Sequence, residues 1–150
     1  MKISKPLLEK VRARGKRTYP EECCGILLGQ LNGEERVIGD ALEIENAHDG
    51  ERNRRFLITP EVYQKADREA RNRGMEILGS YHSHPDHPAT PSQFDLDHAW
   101  AWFSYLITRV EKGEPKESTS WRLREDRSTF EQKIVEVVEE RLEFKGQILK

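Results

Sequence analysis

The chain has only two cysteines, Cys23 and Cys24, and they are adjacent. Adjacent cysteines cannot build a disulfide framework, and the pattern fits a reducing compartment, so a cytoplasmic protein is expected. Long apolar runs are missing too. Nothing approaches the roughly 20 residues of a membrane span, and no apolar stretch follows residues 1–5 as it would in a signal peptide. An excess of positive charge is also lacking: 25 basic residues face 27 acidic ones, for a net charge of −2. That balance argues against a dedicated nucleic-acid binder, which needs a net basic face. Internal repeats and low-complexity blocks are absent.

What remains is a short chain of 150 residues, 35% charged and 35% apolar. That length suits one domain over residues 1–150, large enough to bury a core. Residues 3–16 read as an amphipathic helix, capped by Ser4, with Pro6 in its first turn and Leu7, Leu8 and Val11 as its apolar stripe. Its other face carries Lys5, Lys10, Arg12, Arg14, Lys16 and Arg17. Such a face reads as solvated surface, with a docking patch for an acidic partner as the sharper alternative. Residues 23–29 read as a buried strand. Asn32-Gly33 signals a tight hairpin into a returning strand over 36–44. Residues 46–54 are loop-like, and 55–58 make a brief strand. Thr59-Pro60-Glu61 then starts a helix with a cap, a proline at the first position and an acid in the first turn. That helix runs to about Arg73 and stops at Gly74.

A strand follows over 75–82. After a loop stiffened by Pro85, Pro88 and Pro91, Thr90 reads as a helix cap. Pro91 would take the first position and Gln93 complete a capping box, with the helix running to about Trp102. Strands are expected over 103–110 and around 121–124, with a turn at 112–115. Residues 130–138 fit either a helix or a strand, and the tail from Glu139 is charged and either frays or extends as a helix. Trp100, Trp102 and Trp121 read as core or sheet-packing aromatics. Alternating strands and helices imply an α/β fold with a mixed β-sheet flanked by helices.

The most informative stretch is Gly79 through Asp95. His82 and His84 are two apart at the end of a strand, so their side chains point the same way. Ser92 and Asp95 are three apart near a helix start and share a face. A strand end with two imidazoles and a helix start with a carboxylate can converge on one ion. Catalytic zinc commonly takes three protein ligands and leaves its fourth position open, and His82, His84 and Asp95 supply three. A hydrolase built this way also needs an oxyanion donor, for which Ser92 is placed, and a general base from elsewhere in the chain. Asp95 alone would read as a partner for the helix dipole; the histidine pair reverses that reading. His87 and His98 read as polar positions or pocket lining. A cysteine protease would need a positioned histidine and an activated thiolate, and the histidines are better used as ligands. One cysteine reads as a buried small hydrophobe and the other as lying near the pocket.

His82-x-His84, then seven residues, Ser92, two more and Asp95 together resemble the signature of the JAMM (MPN+) metalloprotease family. Upstream, Glu22-Cys23-Cys24-Gly25 followed by Ile26-Leu27-Leu28-Gly29 resembles that family's first-strand region with its Glu-x-Cys-Gly element. The resemblance extends from about Lys5 to Trp121 and is to the compact prokaryotic members. The chain lacks room for the insertions by which eukaryotic deubiquitinases of the family recognise ubiquitin chains. The resemblance implies a layered, cytidine-deaminase-like α/β architecture and one zinc ion per chain on His82, His84 and Asp95. It implies Glu22 as the general base, selected over Glu21 by its spacing to Gly25, and Ser92 as the oxyanion donor. The implied partner is the C-terminal tail of a ubiquitin-like or sulfur-carrier protein, cut after Gly-Gly, with neither nucleic acid nor membrane involved. Homo-oligomerisation is left open.

Two other classes compete with this one. A catalytically inactive scaffold of the same fold would be expected to lack some of these five residues, and all five are present. An amidohydrolase barrel, where H-x-H also occurs, needs about 250 residues, and the Pro-Cys-x-x-Cys element of zinc deaminases is absent.

Overall fold

The computed structural model describes residues 1–45, 58–140 and 142. The expected loop at 46–54, most of the strand at 55–58 and nearly all of the tail beyond 140 lie outside the described residues. Ile58 itself is not in a strand.

The elements, in chain order, are β1 (Lys2–Ser4), α1 (Lys5–Thr18), β2 (Cys24–Asn32), β3 (Glu35–Ile44), α2 (Pro60–Asn72), β4 (Glu76–Pro85), α3 (Gln93–Asp97), β5 (Ser104–Glu111), β6 (Glu114–Leu123), β7 (Phe130–Lys133) and β8 (Glu136–Val138). Among the described residues, eight strands form one mixed sheet in the order β7-β6-β5-β4-β2-β3-β1-β8. Its two outermost strands, β7 and β8, are separated in the chain only by Ile134 and Val135. The sheet therefore curls until its ends approach each other, and α1 lies in the concavity, touching β1, β3, β4, β5, β6 and β8. On that side Val11 packs with Ile3, Cys23, Leu27, Ile38, Leu78, Tyr81 and Leu106. The opposite face is covered by α2, where Ala66 and Ala70 meet Cys24, Ile26, Leu28, Ile77 and Phe103. This is the expected sheet flanked by helices.

Local signals explain most boundaries. Ser4 accepts the Leu7 N–H at 3.3 Å, and Thr59 accepts the Val62 N–H at 3.3 Å. Gly33 and Gly74 take the positive φ their turns require, +66° and +71°. In β3 the pairing jumps from Asp40 opposite Leu28 to Ile38 opposite Gly29. Gly39 is thus a bulge, and the inward face passes from Arg36 and Ile38 to Ala41 and Glu43. Residues 130–138 resolve as two strands broken at Ile134 and Val135, not as a helix.

Three expectations are corrected. First, the basic face of α1 is solvated only in part: Lys5, Lys10, Lys16 and Arg17 are exposed as expected, whereas Arg12 and Arg14 are partly buried against neighbouring strands. Because α1 sits inside the curl, strand rims flank it on both sides. Arg12 donates to the Lys116 and Pro115 carbonyls, Arg14 and Arg17 pair with Glu43, and Lys10 pairs with Asp40 at 3.1 Å. Second, the third helix is capped by Ser92 and not by Thr90, and it ends at Asp97, well short of Trp102. Third, Trp100 and Trp102 are 42% and 44% exposed. With the helix this short, both fall in the crossover to β5. Trp102, at φ +76°, lies over the buried Arg36 guanidinium at 4.1 Å. Trp100 stands edge-on to Tyr63 and Phe103. Trp121 does sit half-buried on the sheet, in β6. No described helix is long and apolar enough to cross a membrane.

Candidate metal centre

β4 and β5 are parallel neighbours, so the chain between them must cross over one face of the sheet. The crossover covers the α2 face and contains α3. His82 and His84 project from the end of β4 onto that same face, where they are 2% and 1% exposed. Asp95, in the first turn of α3, is brought down onto them.

Nε2 of His82 lies 3.1 Å from Nε2 of His84, and Oδ2 of Asp95 lies 3.4 Å and 3.3 Å from the two nitrogens. These three atoms form a nearly equilateral triangle. Bonds of about 2.0–2.1 Å at tetrahedral angles hold ligand atoms about 3.3–3.4 Å apart, and the observed edges match. The tautomer matches as well. Nδ1 of His84 lies 2.7 Å from the Pro88 carbonyl oxygen, which can only accept, so Nδ1 carries the proton and Nε2 presents its lone pair to the triangle. Lone pairs converging on one point repel unless a cation or a proton lies between them. The donor set therefore fits a metal ion.

The carboxylate is equally constrained. Burial would raise the Asp95 pKa, but the adjoining His82 and His84 imidazoles and the Ser92 N–H outweigh it and hold the carboxyl well below the usual range. Asp95 Oδ2 accepts the Ser92 N–H at 2.8 Å, and Ser92 Oγ accepts the Asp95 N–H at 3.0 Å. This reciprocal capping box turns the carboxylate toward the histidines. The hydroxyl proton of Ser92 is still available to donate.

Glu22 precedes β2 and is 3% exposed. Cys24 pairs with His82, and the Ser83 N–H donates to the Cys23 carbonyl at 3.1 Å. Glu22 directly precedes this paired segment. Glu21, one residue earlier, is exposed. Glu22 borders a hollow with Arg14, Thr18 and Glu43.

A cleft of about 350 Å³ opens next to the triangle, with His82 and Asp95 at one end and walls that include Phe94, His98, Trp100, Phe103, Tyr105 and Arg127. His98 stacks on Phe94 with ring centroids 4.1 Å apart and lines this cleft, and His87 stacks on His84 at 4.1 Å. Sequence reasoning missed Phe94, Phe103, Tyr105 and Arg127. Their only signal was the density of aromatics between Phe94 and Tyr105. Both cysteines are buried, at 2% and 0% exposure, on opposite faces of the sheet; neither lines the cleft, though Cys24 pairs with His82 beside it. Burial pushes the Cys24 thiol up to about 12 and raises Cys23 as well, so both are thiols and not nucleophiles at neutral pH.

Comparison with known proteins agrees with this geometry. The family described as prokaryotic homologs of the JAB domain matches residues 4–124. The "Probable TtuB-protein conjugate cleaving protease" of Thermus thermophilus is 30% identical over 105 residues, covering 70% of this chain and 67% of that protein. The "Desampylase" of Pyrococcus furiosus is 35% identical over 114 residues, covering 76% and 75%. A solved protein from Desulfitobacterium hafniense superposes with a TM-score of 0.81 at 28% identity over 93% of both chains. A JAB1/MPN domain protein from Archaeoglobus fulgidus shares the fold, with a TM-score of 0.60 at 23% identity over 93% of this chain and 100% of that one.

Proposed function

The chain belongs to the prokaryotic JAB-domain family, and from that premise we propose that it is a zinc-dependent peptidase or isopeptidase. Its substrate is a ubiquitin-like or sulfur-carrier protein, and the bond cut is the amide after the C-terminal Gly-Gly. The observation that carries this reading is the triangle of His82 Nε2, His84 Nε2 and Asp95 Oδ2, with edges of 3.1–3.4 Å. The two curated relatives, named for cleaving protein conjugates and for removing a modifier, support the substrate class.

His82, His84 and Asp95 would hold one zinc ion per chain. When bound, zinc polarises a carbonyl and lowers the pKa of water from about 15.7 to about 7. Glu22 takes a proton from the attacking water and returns it to the nitrogen of the leaving amine. Ser92 donates its hydroxyl proton to the oxyanion that forms as the carbonyl carbon becomes tetrahedral. Water attacks directly, so no residue is acylated and the products are a free Gly-Gly carboxylate and an amine. The cleft walls add direction. Glycine has no side chain to fill an aromatic cleft, so the Phe94–Trp100–Phe103 side suits the leaving amine and its aliphatic stem.

The deciding experiment measures metal content of the purified protein together with cleavage of a ubiquitin-like protein extended beyond its Gly-Gly, with and without chelator. About one zinc per chain with chelator-sensitive cleavage is the expected result. Failure of the protein to take up metal under metal-replete conditions would move the assignment to an inactive scaffold of the same fold.

A further inference from the structure

We propose that Asp86 is a positioning residue for the metal centre, holding the turn whose carbonyl orients His84. The inference rests on the metal-centre reading above and extends it to a residue outside the ligands and the reacting groups.

At the end of β4 the chain reverses immediately, and Asp86 takes the left-handed conformation, at φ +58°. Few side chains accept that backbone; aspartate and asparagine do so most readily. Asp86 is then fastened to two segments that are remote in sequence. Its N–H donates to the Val110 carbonyl at 2.8 Å, its Oδ1 accepts the Lys112 N–H at 2.7 Å, and its Oδ2 accepts the Tyr19 hydroxyl. The turn is fastened again further on, where the Thr119 hydroxyl donates to the Ala89 carbonyl. Between these anchors lies Pro88, whose carbonyl accepts His84 Nδ1–H at 2.7 Å.

The path is continuous. Tyr19 from the end of α1 and Lys112 from the β5–β6 turn hold Asp86, Asp86 and Ala89 hold Pro88, and Pro88 holds the imidazole. Releasing the turn frees the His84 ring to rotate and carries Nε2 away from the triangle. Groups that orient a ligating imidazole typically change metal affinity 10- to 100-fold when removed. The chemistry also explains the residue type. The two donors meet different oxygens of the carboxylate, and a carboxamide has an oxygen at only one of those positions because its nitrogen cannot accept.

The test measures zinc affinity by chelator competition and the absorption spectrum of the cobalt(II)-loaded protein. Asp86→Gly keeps the left-handed backbone without strain but removes both acceptors. It is expected to bind zinc at least tenfold more weakly and to show a shifted cobalt spectrum. Asp86→Asn restores one acceptor and is expected to recover part of the affinity. Tyr19→Phe removes one bond from the outside and is expected to weaken zinc binding by about threefold, a comparison that serves if Asp86→Gly does not fold. Zinc affinity within twofold of wild type in Asp86→Gly, or in both Asp86→Asn and Tyr19→Phe should the glycine variant be unfolded, would overturn the proposal. A wild-type chain that binds no zinc would instead remove the metal-centre reading, and this inference with it.

Discussion

Ser92 and Asp95 each donate a backbone N–H to the other's side chain, at 2.8 Å and 3.0 Å. One pair of hydrogen bonds thus starts α3 and turns the Asp95 carboxylate toward the histidines. On the proposed mechanism Ser92 has two separable duties, and two substitutions divide them. Ser92→Ala removes the cap and costs about 1 kcal/mol in stability, whereas Ser92→Gly costs only a few tenths. Both remove the hydroxyl donor, which is worth on the order of 3 kcal/mol in the barrier. Thermal unfolding and kcat/KM measured side by side should show unequal stability losses and similar losses of activity. A glycine variant with near-normal activity would leave Ser92 as a cap alone.

Glu22→Gln is expected to retain metal and lose about 10²- to 10⁴-fold in rate, the usual contribution of a positioned acid–base group. Glu21→Gln, at an exposed position, should change neither. Metal analysis and single-turnover cleavage distinguish the pair. Full activity in Glu22→Gln would put the base elsewhere.

Acid should weaken the protein partly through Asp40. Burial raises its pKa, but the Arg73 guanidinium, the Ala41 N–H and Lys10 outweigh that and hold it below the usual carboxylate range. The unfolded chain binds the proton more readily, near pH 3.9 or so. The stabilisation is therefore complete above that pH and is lost as pH falls toward the folded-state value. Urea midpoints measured from pH 7 down to pH 2 should fall more steeply for wild type than for Asp40→Asn. Parallel curves would mean that the Lys10–Asp40–Arg73 cluster contributes nothing.

Gly25 tolerates no side chain. A Cβ there would occupy the space of the Tyr81 ring and of the Leu42 carbonyl oxygen. Gly25→Ala is expected to cost about 3 kcal/mol, at the upper end of ordinary overpacking. Shrinking Tyr81 to Leu should restore little, because the Leu42 obstacle is backbone. Urea unfolding of the single and double variants checks both statements.

Much of this was legible before any coordinates. Ser4, Thr59, Asn32-Gly33 and Gly74 act through bonds to near neighbours, and each stands where local chemistry puts it. The convergence of His82, His84 and Asp95 was legible because strand alternation and a helix start need no distant information. Failures came from non-local pairing and from competition. β1 and β8 are only three residues each and exist because Lys2–Ser4 pairs with Glu136–Val138 from the far end of the chain. Thr90-Pro91 with Gln93 imitates a helix start, yet Ser92 wins because its partner at the third position, Asp95, bonds back to it. Arg12 and Arg14 looked solvated because nothing local announces that a curled sheet will bring the Pro115 carbonyl and Glu43 to them.

The two residues between β7 and β8 have a consequence for the order of synthesis. On a chain emerging from its amino end, β1 has only a single register partner in β3, Val37, until residues 136–138 arrive. By then β2, β3, β4, α3 and β5, with His82, His84 and Asp95, have already been made. A domain folds as a unit, so the pairing of Glu136–Val138 with Lys2–Ser4 closes the rim around α1 only once nearly all of the described chain has been made.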